Sequence, residues 1–157
     1  MIVFRLSKTQ YADDLSGKGA EIAGGRWNSK GTPMIYTAES RALCIAELAM
    51  HLPLGIVPKD FSFISFTIPD NIPVFNLPKD QLPFNWDVYP HPNETQEIGD
   101  RFVKENKYLL MKVPSVIVEE EFNYLINPKH KFIQKIVVSA VTSFSFNPRL
   151  FNRENSF

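Results

Sequence analysis

Residues 24–51, GGRWNSKGTPMIYTAESRALCIAELAMH, combine a glycine-rich loop, a short strand and a helix. The loop ends a longer segment, residues 17–31, which holds five of the seven glycines of the chain and so favours sharp turns or close approach of the backbone to a ligand. After Pro33, residues 34–37 are predicted to form a strand and residues 39–52 a helix. This succession indicates a fold in which strands and helices are mixed.

The predicted helix has a polar stripe. Thr37 or Ser40 is expected to cap its N-terminus, because short polar side chains accept hydrogen bonds from free backbone amides, and Pro53 is expected to end it. At spacings of i, i+4, i+7 and i+11, the stripe consists of Ser40, Cys44, Glu47 and His51. Glu47 can therefore face a cleft or solvent instead of the core.

Further elements follow from alternation and from β-branched or aromatic content. They predict strands at residues 1–6, 61–68, 115–118 and 136–146. A second helix is predicted over residues 95–111, and the prolines between residues 69 and 92 favour short extended pieces and loop. Short strands with two helices indicate the α+β class. Because there is no internal repeat or low-complexity segment, we expect one domain over residues 1–157.

The composition argues against several classes of function. With 17 basic and 17 acidic residues the net charge is zero, which gives no support to nucleic-acid or acidic-lipid binding. A single cysteine, Cys44, excludes an intrachain disulfide and makes the cytoplasm the simplest compartment. The three histidines lie far apart without partner cysteines, so no metal site is expected. No signal peptide or membrane-spanning run is apparent.

The common nucleotide-binding signatures are also missing. Residues 19–26, GAEIAGGR, are the nearest approach to a P-loop but lack its Gly-Lys-Ser/Thr end. Several short segments nevertheless occur in a set order: FRL at 4–6, GGRWN at 24–28, MIYTAES at 34–40, AELAMH at 46–51, IGD at 98–100, VPS at 113–115 and NYLINPKH at 123–130. In this order and spacing they resemble the RES domain, from residue 4 to residue 130 and more weakly beyond. Lys131 stands where relatives usually have a second proline.

The resemblance implies a fold like that of ADP-ribosyltransferase toxins, with short strands in split mixed sheets and flanking helices. It implies the toxin of a type II toxin–antitoxin pair, which depletes NAD⁺ as its substrate without a further cofactor. It also implies a hetero-oligomer with an Xre-like helix-turn-helix antitoxin. By motif position, the family's functional residues correspond to Arg26, Tyr36, Glu47 and Ser115, with Asn127 in the Asn-Pro-x-His stretch.

These residue types suit cleavage of the nicotinamide–ribose bond. The leaving base is neutral and needs no general acid, whereas the oxocarbenium-like ribose can be stabilised by a carboxylate, for which Glu47 is the candidate. Arg26 offers a planar, permanently charged donor to the pyrophosphate. Tyr36 offers a flat face to nicotinamide and a hydroxyl to a phosphate or ribose. Ser115 is a candidate hydrogen-bond donor to the dinucleotide, and Arg5 either a second phosphate contact or a structural pair.

Each of these residues also has an ordinary structural interpretation. Glutamate on a helix is usually solvated, and Ser115 after a proline or Asn127 before one is usually a turn residue. Trp27 is assigned to the core. Three hypotheses follow: a NAD⁺-consuming enzyme that passes ADP-ribose to water or phosphate, an ADP-ribosyltransferase that modifies a protein, and a catalytically silent module that binds an Xre-like partner. Arg26, Tyr36 and Glu47 together argue against the last.

Overall fold

The computed structural model describes residues 1–53 and 55–151. Within these residues the strands are β1 Ile2–Lys8, β2 Ile35–Ala38, β3 Phe61–Thr67, β4 Val74–Asn76, β5 Leu110–Pro114, β6 Phe122–Ile126 and β7 Val137–Phe144. The helices are α1 Lys18–Ala23, α2 Arg41–Ala49 and α3 Asn93–Glu105. None of the helices in the described ranges has the length and apolar character needed to cross a membrane.

The strands form one mixed sheet in the order β4-β5-β6-β2-β1-β3-β7. Only β4 and β5 run parallel, and the other neighbours are antiparallel. The α+β class is thus confirmed, although the strands expected in split sheets are hydrogen-bonded into one. The junction between its halves is narrow, because β1 and β2 are in register at the single pair Phe4–Ala38.

Alternation along the strands gives the two faces of the sheet different partners. One face carries a continuous cluster that includes Val3, Ile35, Ile64, Leu110 and Ile126. The opposite face carries two separate clusters. The first includes Trp27, Met34, Met111 and Leu125 together with Ile98 and Phe102 of α3. The second includes Leu6, Ala38, Phe63 and Phe146 together with Leu43 and Cys44 of α2. The prediction that Trp27 belongs to the core is confirmed.

Most of the predicted elements are confirmed. Strands occur at the predicted positions 1–6, 34–37, 61–68 and 136–146, and their observed ends differ from the predicted ones by at most a few residues. Of the two proposed caps, Ser40 is correct, because its Oγ accepts a hydrogen bond from the Leu43 amide (3.0 Å). The helix that follows ends earlier than predicted, at Ala49.

The region after α3 departs from the prediction. The helix predicted to reach residue 111 ends at Glu105, because Asn106 adopts a left-handed backbone conformation (φ 53°). The apolar residues after it form β5, and the strand predicted at 115–118 is wrong, since those residues lie in the bend that leads from β5 towards β6. Strand β6 and helix α1 were not predicted. A short apolar run fits a strand or a helix equally well until its neighbours are known.

Candidate functional site

A cleft of about 1000 Å³ opens on the face of the sheet beside α2, and residues of α1 and of the loop after it form its other side. It lies at the narrow junction, so β1 and β2 both line its floor. Its walls include Leu6, Ala38, Cys44, Leu48, Ile117, Arg26, Tyr36, Glu47, Asp87, His91 and Asn123. The cleft therefore has apolar surface together with a few charged and polar groups, which is the usual character of a small-molecule site.

A tight turn, Gly25–Asn28, forms one wall of the cleft. The Gly25 amide donates to the Asn28 carbonyl oxygen (2.9 Å), which brings the two ends of the turn together. Asn28 is fully buried, and its Nδ2 donates to the carbonyl oxygens of Ala20 (2.8 Å) and Thr32 (2.9 Å). With its ends fixed in this way, the turn directs Trp27 into the core and Arg26 to the cleft.

Tyr36 fastens this turn to the sheet. Its hydroxyl donates to Asn28 Oδ1 (2.6 Å) and accepts from the Trp27 amide (3.0 Å). Gly25 packs so close that a Cβ there would lie 2.6 Å from the Tyr36 hydroxyl oxygen. Burial raises the pKa of Tyr36, so the hydroxyl stays protonated as the donor. In this structure the hydroxyl that was predicted to bind a phosphate or ribose is engaged with the turn, and Tyr36 also lines the cleft.

Two backbone carbonyls orient the guanidinium of Arg26. Nη1 donates to the carbonyl oxygens of Trp86 (2.5 Å) and Val88 (3.0 Å), which accounts for both of its hydrogens. No other described residue accepts from Nε or Nη2, so the side-on edge of the guanidinium is left for a ligand. Burial lowers the pKa of Arg26, and the negative charge of Glu47 opposes that shift. Arg26 thus keeps a bidentate donor edge at the cleft.

Glu47, on α2, is held by two donors that share one of its oxygens. Oε1 accepts from Ser115 Oγ (2.8 Å) and from Asn123 Nδ2 (2.7 Å). Among the described residues no donor contacts Oε2, and Glu47 lines the cleft. One carboxylate oxygen is therefore fixed by the protein, while the other is available to a ligand.

Ser115 forms a direct hydrogen bond with Glu47. Its single hydroxyl hydrogen is directed to Glu47, and its Oγ accepts from the amides of Ile117 (3.0 Å) and Val118 (3.1 Å). In this structure that hydrogen is already used and does not point to the place of the predicted donation to a dinucleotide. Its actual position is just after β5, where it caps the turn that replaces the predicted strand.

Asn123 is a site residue that the sequence analysis missed. It lies on β6 in register with Ala38 of β2 and with Val113 of β5, so the sheet places it beside the junction. The available signal was its position at the start of the NYLINPKH segment. Motif position within that segment favours Asn127, which is not among the residues that line the cleft.

Asn127 and Arg5 contact protein groups, which favours the structural interpretation that the sequence left open for each. Asn127 is fully buried, donates to Asn106 Oδ1 (2.9 Å) and accepts from the Lys129 amide (2.9 Å). The side chain of Arg5 points to the sheet face opposite the cleft, over the Phe66 ring. Its guanidinium donates to the carbonyl oxygens of Asp14 (3.0 Å), Tyr11 (2.7 Å) and Ala12 (3.3 Å).

Two further titratable side chains near the cleft, Cys44 and His91, have pKa values that are shifted towards the neutral form. Cys44 donates to the Phe4 carbonyl oxygen (3.3 Å), and burial raises the pKa of its thiol to about 12, which makes it a poor nucleophile. Burial lowers the pKa of His91, and the positive charges of Arg26 and His51 act in the same direction.

In residues 1–53 and 55–151, no group of three or more His, Cys, Asp or Glu side chains could hold a metal ion.

Comparison with known proteins identifies close relatives along nearly the whole chain. Residues 2–147 match the model of the RES domain. A Sphingobium sp. protein named Prs ADP-ribosylating toxin is 36% identical over 149 residues, which are 94% of this chain and 92% of that protein. A protein of Yersinia enterocolitica named Toxin Res is 36% identical over 152 residues, or 96% of this chain and 99% of that protein.

A solved structure has the same fold. A chain of the M. tuberculosis MbcT–MbcA toxin–antitoxin complex superposes with a TM-score of 0.67, covering 96% of this chain and 86% of that one. The sequence identity is 21%, so this likeness concerns the fold alone. The family match over residues 2–147 and the identity to the curated relatives are sufficient for assignment. The chain belongs to the RES domain family.

Proposed function

We propose that this chain is the toxin of a toxin–antitoxin pair and that it consumes NAD⁺ by cleaving the nicotinamide–ribose bond. The observation that carries the proposal is the orientation of Glu47, whose Oε1 is held by Ser115 and Asn123 while Oε2 is left to the cleft. The toxin names of the curated relatives support the biological role.

The charge arrangement suits this reaction. Loss of nicotinamide leaves positive charge on the ribose, and a carboxylate that is already oriented stabilises it without reorganisation. Glu47 Oε2 is the group for this task, and it can also hold a ribose hydroxyl or the attacking water. The apolar wall and the Tyr36 ring offer a surface on which the nicotinamide can pack.

Arg26 is assigned to the diphosphate, through its free Nε and Nη2 edge. Arg26→Ala should weaken NAD⁺ binding by on the order of 10- to 100-fold, because a charge-assisted bidentate contact is lost. Arg26→Lys should recover only part of the affinity, since a point charge cannot replace the planar fork. Titration of NAD⁺ onto the Glu47→Gln background measures this without turnover. Equal affinity of the three Arg26 forms would contradict the assignment.

The environment of Glu47 predicts a specific pH effect. Asn123→Asp replaces a donor to Glu47 by a second carboxylate of the same size, and two carboxylates in contact resist simultaneous ionisation. The rise of kcat/KM with pH should therefore move to higher pH in this variant. Asn123→Ala removes the donor without adding charge and should lower activity without that shift. Superimposable pH profiles of Asn123→Asp and the wild type would argue that Asn123 does not act on Glu47.

A second candidate is the transfer of ADP-ribose to a protein, which the name of the Sphingobium relative favours. Both reactions would use the same cleft and differ only in the acceptor. Purified chain should be incubated with NAD⁺ with and without phosphate, and the products identified by mass spectrometry. Free ADP-ribose or its phosphorylated form supports the first function, whereas NAD⁺ loss that occurs only with a labelled protein supports the second.

The toxin role is tested in cells. Production of the chain in a bacterium should stop growth and deplete NAD⁺, while Glu47→Gln produced at the same soluble level should not. We further propose that an Xre-like antitoxin restrains the toxin by covering the cleft or misaligning it. Since the net charge is zero, that partner would dock by shape and local patches. Normal growth with unchanged NAD⁺, at confirmed soluble expression, would contradict the toxin proposal.

A further inference from the structure

Helix α3 contacts the turn Gly25–Asn28 along one face. Gln96, Gly99 and Asp100, at i, i+3 and i+4, lie on that face. Asp100 Oδ1 accepts from the amide of Ser29, the residue that follows the turn (2.9 Å). Gly99 packs directly against the Trp27 carbonyl group. The helix therefore supports the turn on the side away from the cleft.

Gln96 contacts both ends of the turn that carries Arg26. Its Nε2 donates to the carbonyl oxygens of Gly25 (3.0 Å) and Asn28 (3.1 Å), the two ends of the turn that carries Arg26. The two hydrogens of the amide group are shared among these two oxygens and a third neighbour of the same atom. These bonds fix the backbone on either side of Arg26.

The same atom also contacts the segment that orients the guanidinium. Gln96 Nε2 lies 3.2 Å from His91 Nε2. His91 follows closely on Trp86 and Val88, whose carbonyl oxygens accept from Arg26 Nη1. Gln96 thus joins the turn that carries Arg26 to the segment that holds its side chain. It is not among the residues that line the cleft, so it would act through Arg26 and not on the substrate.

We propose that Gln96 is a positioning residue that fixes the Arg26 guanidinium for the diphosphate of a dinucleotide. The proposal rests on the proposed function, in which Arg26 binds that group. Because Glu47 is held by β5, β6 and α2, loss of Gln96 should affect substrate binding and leave the chemical step nearly intact.

The test is a double-mutant cycle with NAD⁺ as the probe. Gln96→Met keeps the length of the side chain and removes both donors, so it should raise the KM for NAD⁺ about tenfold with kcat changed less than about twofold. On the Arg26→Ala background the same substitution should change KM little, because the group it positions is gone. Glu97→Met, at the exposed neighbouring position, is the matched control and should leave both constants unchanged.

Two results would overturn the proposal. One is an equal fold-change in KM on the wild-type and Arg26→Ala backgrounds, which indicates a structural role unrelated to Arg26. The other is no change of KM in Gln96→Met. If the wild-type chain does not consume NAD⁺, the proposed function fails. The positioning role of Gln96 is then tested by amide hydrogen exchange over residues 24–29 and 86–91. Faster exchange in Gln96→Met, but not in Glu97→Met, supports the positioning role, and unchanged exchange contradicts it.

Discussion

Glu47→Gln is expected to lower the rate of NAD⁺ cleavage by at least about 10²–10³-fold, the typical cost of removing one preorganised electrostatic group. The amide oxygen can still accept from Ser115 and Asn123, so the side chain should keep its orientation. In that orientation an NH₂ group replaces Oε2 at the cleft, and it cannot stabilise a positive ribose. A turnover assay and a melting curve on the same preparation measure both consequences.

The melting temperature separates the possible explanations of this result. Normal melting with lost turnover identifies Glu47 as the catalytic carboxylate. Normal melting with near-wild-type turnover would show that Glu47 is a helix residue without a catalytic role. Glu97→Gln, which makes the same change at an exposed position of α3, is the control for removal of one negative charge and should retain full turnover.

The second large effect is expected for Gly99→Ala. A Cβ at this position would lie 1.6 Å from the Trp27 carbonyl oxygen and 2.7 Å from the Trp27 carbonyl carbon, and both are backbone atoms. Because neither can move as a side chain would, α3 or the turn must shift. We expect destabilisation of about 1–3 kcal/mol or more, with a fall in Tm of about 2–4 °C per kcal/mol. NAD⁺ affinity should fall as well, since the displaced turn carries Arg26.

Gly19→Ala is the matched control for the stability of Gly99→Ala. Gly19 lies in α1, where an added Cβ would meet nothing within 4 Å. Alanine also favours helix over glycine by up to about 1 kcal/mol, so its Tm should stay equal or rise. If thermal denaturation gave Gly99→Ala the Tm of the wild type, close packing of α3 on the turn would be refuted.

The sequence by itself determined those features that depend on local chemistry. The strand at the N-terminus, the strand after Pro33, the Ser40 cap and the polar stripe with Glu47 all follow from periodicity and from short-range hydrogen bonding. The ordered motifs likewise identified the family and selected Arg26, Tyr36 and Glu47, which line one cleft.

Only the tertiary structure decided which polar groups meet. Asn123 and Asn127 belong to one short segment, yet strand register places the first beside Glu47 and the second in a buried turn. Ser115 binds Glu47 across 68 positions of sequence, and Gln96 binds the Gly25 carbonyl across 71. Local periodicity predicts which side of a helix or strand a residue occupies. The partner on that side is set by register and packing between elements distant in sequence, which a local pattern does not encode.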